Sequence, residues 1–294
     1  MTPIEAVTKQ IIALLDKGVK PWQCSWNQGA CLPVNYIGKP YQGINVIMLW
    51  LSQSENQFEY NQWLTFKQAV DLGGKVAKGA KGTQIVRYGQ ITKTDDNGDD
   101  LTVGFLKNFT VFNVAQITGL PEHYYLVSES SKPTNQPIPI IDHFIESIPH
   151  EISLGGNRAC YIPLLDSIAI PKLESFINSD AFYGTYLHEL AHWTGHKSRL
   201  NRNFEGKRAR NDIAFEELIA ELTASFLCAK FNIVSTLEGH ANYIGSWLKH
   251  LKDDRRYFYD AVKEAEKAFN HLCEIADING YLSDMQDDDT SIAA

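Results

Sequence analysis

The sequence predicts an α+β protein of two domains. The first is an N-terminal α+β domain, the second a mainly helical C-terminal domain with a small β-sheet. Three observations carry this expectation. Residues 128–139, "SESSKPTNQPIP", hold Ser, Pro, Asn and Gln without an apolar period, which is the composition of a linker. Helical and alternating patterns mix before this stretch, whereas long helical patterns dominate after it. Charge also changes there. Residues 1–127 carry 11 Lys/Arg against 10 Asp/Glu, or +1, and the remainder carries 16 against 25, or −9, which together make the −8 of the chain. The expected domains are 1–127 and 140–280, both of ordinary size. The end of the chain, 281–294, is an acidic tail expected to be disordered.

In chain order, Ile4, Val7, Ile11, Leu14 and Leu15 lie at helical spacing, with Gly18 as the stop. A second helix is expected in "NQWLTFKQAVDLGG". "TQIVRYGQIT", "LTVGFLKNF" and "TVFNVAQI" read as strands, the first two joined through the acidic turn "KTDDNGDD". In the second half "ACYIP" and "SIAIP" are expected strands. Helices are expected at 174–194, with a break or cap near Asn178 and Ser179, and at 212–231, 240–251 and 253–273.

Composition excludes some functions. With 44% hydrophobic and 21% charged residues, the chain is an ordinary globular one. The net charge argues against a uniformly basic coat for nucleic acid but allows a local basic patch. No apolar run approaches the ~20 residues of a membrane helix, so no membrane partner is expected. The first residues read as an amphipathic helix containing acids, not a signal peptide. Five cysteines (24, 31, 160, 228 and 273) form no CxxC pair, which fits free thiols in a reduced, cytoplasmic protein.

"HELAH", residues 188–192, is where chemistry concentrates. His188 and His192 are one helical turn apart, so both imidazoles leave one face and can chelate Zn²⁺; Mn²⁺ or Co²⁺ can occupy such a site as well. Glu189 can reach a metal-bound water and serve as general base. The surrounding Tyr186, Leu187, Leu190, Ala191 and Trp193 predict a buried helix, which seldom carries unpartnered polar groups. Gly195 continues a longer three-histidine pattern, but Ser198 stands where its third histidine would be. His196 is poorly placed to join the same ion from the same helix; a supporting, substrate-side or loop-fixing role is expected of it. The third ligand is sought in "FEELIAELTASFLCAKF", residues 215–231, where Glu217 and Glu221 are one turn apart beside an apolar stripe. This resembles the glutamate-zincin arrangement, which implies Glu217 as the ligand and Glu221 as the residue that hydrogen-bonds a ligand histidine; the reverse assignment stays open. Glu216 points about 100° away and is expected to be solvated. The segment "GGNRACYIPLLDSIAIP" is either an edge that holds an extended peptide or a structural hairpin. His240 or Tyr243 could face an oxyanion, although core packing is the more ordinary reading for both.

The first half has no catalytic constellation, but it interleaves rings with cations. Trp22, Trp26 and Trp63 occur in "KPWQCSW" and "QWLTFK". Lys75, Lys78, Lys81, Arg87 and Lys93 follow with no acid among them. Single-strand binders combine such a cationic track with rings on which bases stack.

The pieces "IIALLDKGVKPW", "PVNYIGKPYQGIN", "WLTFKQAVDLGGKVAKGAKGT", "VFNVAQITGL", "YLHELAHWTGHKSRLNR", "EELIAELTASFLC" and "HANYIGSWLKHLKDDRR" span nearly the whole chain. Together they resemble the ArdC-type antirestriction proteins of mobile genetic elements. The resemblance implies an N-terminal domain that binds single-stranded DNA, as related domains of plasmid primase-type proteins do. It also implies a C-terminal zincin-like metallopeptidase domain, with a host protein such as a restriction component as a candidate substrate. The implied role, in plasmid transfer by conjugation, is protection of incoming DNA from host restriction.

Overall fold

The structure, a computed structural model, describes residues 3–22, 31–94, 100–126, 135–202, 212–234, 241–254 and 256–277. Trp26, Cys24, His240, the acidic turn at 95–99 and the tail 281–294 lie outside the described residues. The chain divides into two compact units, the first made of Met1–Trp22 and Cys31–Glu129 and the second of Gln23–Ala30 and Ser130–Ala294.

In the first unit α1, Pro3–Leu15, buries Val7, Ile11 and Leu15. Gly18 takes a φ of 75°, and Val19 N–H reaches back to Leu14 O at 2.9 Å, so the helix ends where a left-handed residue lets the chain turn away. Next, α2, Ile44–Asn56, was not expected: "INVIMLWL" is apolar all round and shows no periodicity, because this half of the helix is buried on every side. The second expected helix is in fact a strand, β1 (Trp63–Thr65), followed by a short helix, α3 (Phe66–Asp71). Thr65 makes the switch: its side chain accepts from Gln68 N–H, and the Gln68 side chain accepts from Thr65 N–H.

β2 is Lys75–Val76, β3 is Thr83–Thr94 and β4 is Asp100–Asn113, the last merging two expected strands into one. β3 and β4 pair antiparallel from Thr83↔Val111 to Thr94↔Asp100, the hairpin register expected around the acidic turn. The sheet order is β1-β4-β3, and β5 (Ile117–Thr118) pairs with β2. On the free edge of β3, Asn45 of α2 receives Val86 N–H at 2.9 Å and donates to Val86 O at 2.8 Å, which blunts that edge.

The expected stacking role of Trp22 and Trp63 is corrected here. Their exposures are 1% and 0%; Trp63 packs with Leu49, Ile85 and Val111, edge-on to Phe58. A ring enclosed in the core presents no face to a base. By contrast Lys75, Lys78, Lys81 and Arg87 are all exposed.

The second unit opens with α4, Pro139–Glu146, whose start overlaps the end of the expected linker. Residues there are anchored: Ile138 N–H donates to the Tyr183 hydroxyl, and Gln136 O accepts from the Ser179 hydroxyl. β6 (Glu151–Leu154), β7 (Cys160–Ile162) and β8 (Ser167–Ile170) form a sheet in the order β6-β8-β7, one strand more than expected. β6 was hidden from the sequence because it is exposed along its length and so alternates in nothing. Four helices follow: α5 (Ser179–Trp193), α6 (Asp212–Lys230), α7 (Ala241–Asp253) and α8 (Tyr257–Ala276). The expected cap is present, with Asn178 accepting Ala181 N–H at 2.8 Å. The core joins Ile168 and Ile170 of β8, Leu187 and Leu190 of α5, Leu227 and Cys228 of α6, and Leu272 of α8. At Gly184 an added Cβ would lie 3.8 Å from Cys228 Sγ, a measure of how closely α5 and α6 cross. That crossing brings the two helices that carry the site face to face. Cys31, Cys160, Cys228 and Cys273 form no disulfide.

Candidate metal centre

α5 is buried along most of its length, and His188 and Glu189 are buried within it. His188 Nε2 and His192 Nε2 face each other at 3.1 Å. Glu217 of α6 completes the set, with Oε2 3.6 Å from His188 Nε2 and Oε1 3.7 Å from His192 Nε2. Ligands held tetrahedrally about 2.1 Å from one ion lie roughly 3.4 Å apart. The three separations, two of them to different oxygens of the one carboxylate, bracket that value, so the donor set fits a divalent metal. Of the two glutamates left open by the sequence, it is Glu217 whose carboxylate gathers with the imidazoles; among the described residues this is the cluster of three that could hold an ion.

The support around the ligands differs from expectation. The hydrogen bond to a ligand histidine is made by Glu216, whose Oε1 lies 3.2 Å from His192 Nδ1. Nδ1 then carries the proton, which leaves the Nε2 lone pair for the metal. Glu216 was expected to be solvated. It is drawn in by Arg202, which donates from Nε to Oε2 at 2.9 Å and from Nη2 to Oε1 at 2.5 Å. The same guanidinium, only 1% exposed, also reaches Ala191 O and the Thr194 hydroxyl, locking the end of α5. Glu221 is fully buried one turn further along α6. Burial pulls the pKa of His192 down, but the bond to Glu216 and the charges of Glu216, Glu217 and Glu189 outweigh it and raise the pKa overall. Burial likewise opposes ionisation of Glu216, yet Arg202 and His192 hold its pKa below the usual carboxylate value.

Glu189 is positioned from the sheet. Its Oε2 accepts Tyr161 N–H of the edge strand β7 at 2.7 Å. β7 is braced in turn: the Tyr161 hydroxyl donates to Asp166 Oδ1 at 2.8 Å, and Arg199 forms a two-pronged pair with Asp166. The Arg199 bond, with the Tyr161 hydroxyl adding, takes the Asp166 carboxyl down to about 2. Arg199 also lies 3.7 Å over the Trp193 ring and donates to Trp193 O at 2.7 Å. His196 sits in this brace, 2.8 Å from the Ser198 hydroxyl and 3.8 Å from Asp166, outside the ligand triangle. Tyr243 is within electrostatic reach of Glu217; burial first, then that charge, raises its pKa. The sequence set Glu216 aside as solvated and did not single out Arg202, Arg199 or Asp166. The basic run after "HWTGH" was the available signal, but loop residues have no periodicity that points to their partners.

Two histidines one turn apart, a carboxylate from the next helix and a glutamate held beside them define a zincin-type site, and residues 139–264 match the family described as zincin-like metallopeptidase. Residues 2–112 match the N-terminal domain of the anti-restriction factor ArdC. The metal-free structure of the antirestriction protein ArdC from plasmid R388 superposes with a TM-score of 0.81 at 38% identity, covering 93% of this chain and 97% of that one. Its Mn(II)-bound structure gives 0.79 at 37%, covering 94% and 98%. The chain belongs to the ArdC family of antirestriction proteins.

Other relatives are similar over the same span. Two Escherichia coli DNA primases TraC are 34% and 35% identical over 91% and 90% of this chain. The chain spans only 20% and 26% of their own length. The uncharacterized protein y4eC of Sinorhizobium fredii is 31% identical over 90% of this chain and 89% of its own. No helix among the described residues is long and apolar enough to cross a membrane.

Proposed function

We propose that this chain protects incoming plasmid DNA from host restriction during conjugation, in the cytoplasm. The first unit binds single-stranded DNA, and the second cleaves a host protein, such as a restriction component, at a zinc-dependent peptidase site. The observation that carries the peptidase reading is the convergence of His188, His192 and Glu217 beside a glutamate whose carboxylate is fixed by the edge strand. A bound ion supplies Lewis acidity and lowers the pKa of water. Glu189 Oε2 is occupied by Tyr161 N–H, so Oε1 is the atom that takes a proton and later returns it to the leaving amine. Glu216 keeps the proton of His192 on Nδ1 throughout. Two histidines and one carboxylate suit Zn²⁺, and Mn²⁺ or Co²⁺ fits the same donors.

The carry-over of single-strand binding rests on the match to the ArdC N-terminal domain and on the exposed Lys75, Lys78, Lys81 and Arg87. A purely stoichiometric DNA-binding role is the competing reading. Substituting Glu189→Gln separates them. The variant keeps its metal, and peptide hydrolysis falls on the order of 10²- to 10⁴-fold. Restriction protection falls with it if cleavage is the mechanism, and undiminished protection would assign the role to DNA binding alone.

A further inference from the structure

Burial of Trp22 and Trp63 removes two of the expected rings from the cationic track, and the surface of the first unit supplies another. Phe66 opens α3 with 59% of its surface exposed, and Val70, one turn further along the same face, is 51% exposed. Burying an aromatic ring is ordinarily favourable, so a ring this open on an ordered element is a candidate contact. It is also held in place. Phe112 of β4 braces it edge-on, with ring centroids 6.4 Å apart, and the Thr65–Gln68 capping box fixes the start of its helix.

The same flank is cationic. Lys67 follows the ring directly and is exposed. Gly82 packs against the bracing residue: a Cβ there would lie 3.1 Å from the Phe112 ring and 2.3 Å from Thr110 Cγ2, so the backbone passes where no side chain fits. Lys81, directly before Gly82 in the chain, is exposed. The loop carrying Lys75, Lys78 and Lys81 is pinned by its backbone, since Ala77 N–H donates to Gln116 O at 2.8 Å and Gln116 Nε2 donates to Lys81 O at 3.0 Å. β2, at the start of this loop, pairs with β5, and Val76 and Leu72 each pack against the core cluster that holds Ala69 of α3. Asp71 is the single acid of α3; five residues from Phe66, it lies roughly 140° around the helix.

We propose that Phe66 is the base-stacking platform of this chain, with Lys67, Lys75, Lys78 and Lys81 taking the phosphates of a single DNA strand that crosses it. This inference rests on the single-strand-binding reading of the first unit. An exposed ring in the same unit as exposed lysines on ordered backbone matches the two needs of such a ligand, a π-face and anion neutralisation. A partner protein seeking the apolar Phe66–Val70 pair would not need the lysines.

The test is fluorescence anisotropy of the full chain with a labelled oligothymidine, over a range of salt. Phe66→Ala should weaken binding roughly 5- to 100-fold with the salt slope unchanged, and Phe66→Trp should restore it. Lys81→Ala should instead flatten the log–log slope by about 0.7. An abasic strand of equal charge should bind wild type and Phe66→Ala alike. Thermal melting guards against a folding defect. If wild type binds thymidine strands and Phe66→Ala binds them equally well, the platform is overturned while the domain reading stands. If wild type shows no salt-dependent binding to any strand, both fall, and the apolar pair is left as a protein contact.

Discussion

At the scale of the residue, the ligand set was more legible than its support. HELAH announces His188, Glu189 and His192 because helical periodicity alone puts two imidazoles on one face. Glu217 was implied by the glutamate-zincin resemblance; its physical reason is the crossing of α5 and α6, which no spacing encodes. Glu216 was misread for a related reason. A helical wheel turns it away from Glu217, but Arg202, from the loop after α5, reaches across and draws it to His192. Arg202→Ala and Glu216→Ala should therefore each weaken metal affinity roughly 10- to 100-fold in calorimetric titration. His196→Ala, whose ring sits in the Asp166 brace, should change it far less. Equal losses in all three would mean that His196 shares the ion.

Among the elements, those with a strong period were readable: α1, the β3–β4 hairpin, α7 and α8. α5 and α6, buried on most sides, were read from their length, whereas shorter elements buried or exposed all round were missed, because neither kind alternates. α2 is the first kind and β6 the second. Trp63 shows the cost of reading a ring by its neighbours in sequence. It stands four residues before the exposed Lys67 in sequence, yet packs with Leu49, Ile85 and Val111. Trp63→Ala should destabilise the first unit by about 3–5 kcal/mol, as truncation of a large core ring does. Denaturant unfolding checks this, and a loss below about 1 kcal/mol would return Trp63 to the surface as a candidate contact.

For the whole molecule, the charge step near residue 128 and the Ser/Pro-rich stretch spoke for two functions in one chain. Two family models match the chain, one over 2–112 and the other over 139–264. The second unit assembles its ligands from α5 and α6, so a divalent ion should stabilise that fold by mass action. The gain should be about 2.7 kcal/mol at 100 times the dissociation constant, read as a rise in melting temperature that chelation reverses. His192 must present Nε2 without a proton, and its pKa is raised above the ordinary 6.5. The gain should therefore shrink as pH falls through that raised pKa and be recovered above it. An ion-induced shift independent of pH would place the ion away from the histidines. The most direct measurement of the central claim is anomalous diffraction at the zinc edge from crystals grown with the metal. The account predicts a single peak about 2.0–2.2 Å from His188 Nε2, His192 Nε2 and a Glu217 oxygen. A peak ligated by Glu221 or His196 in place of Glu217, or no peak between the two imidazoles, would contradict it.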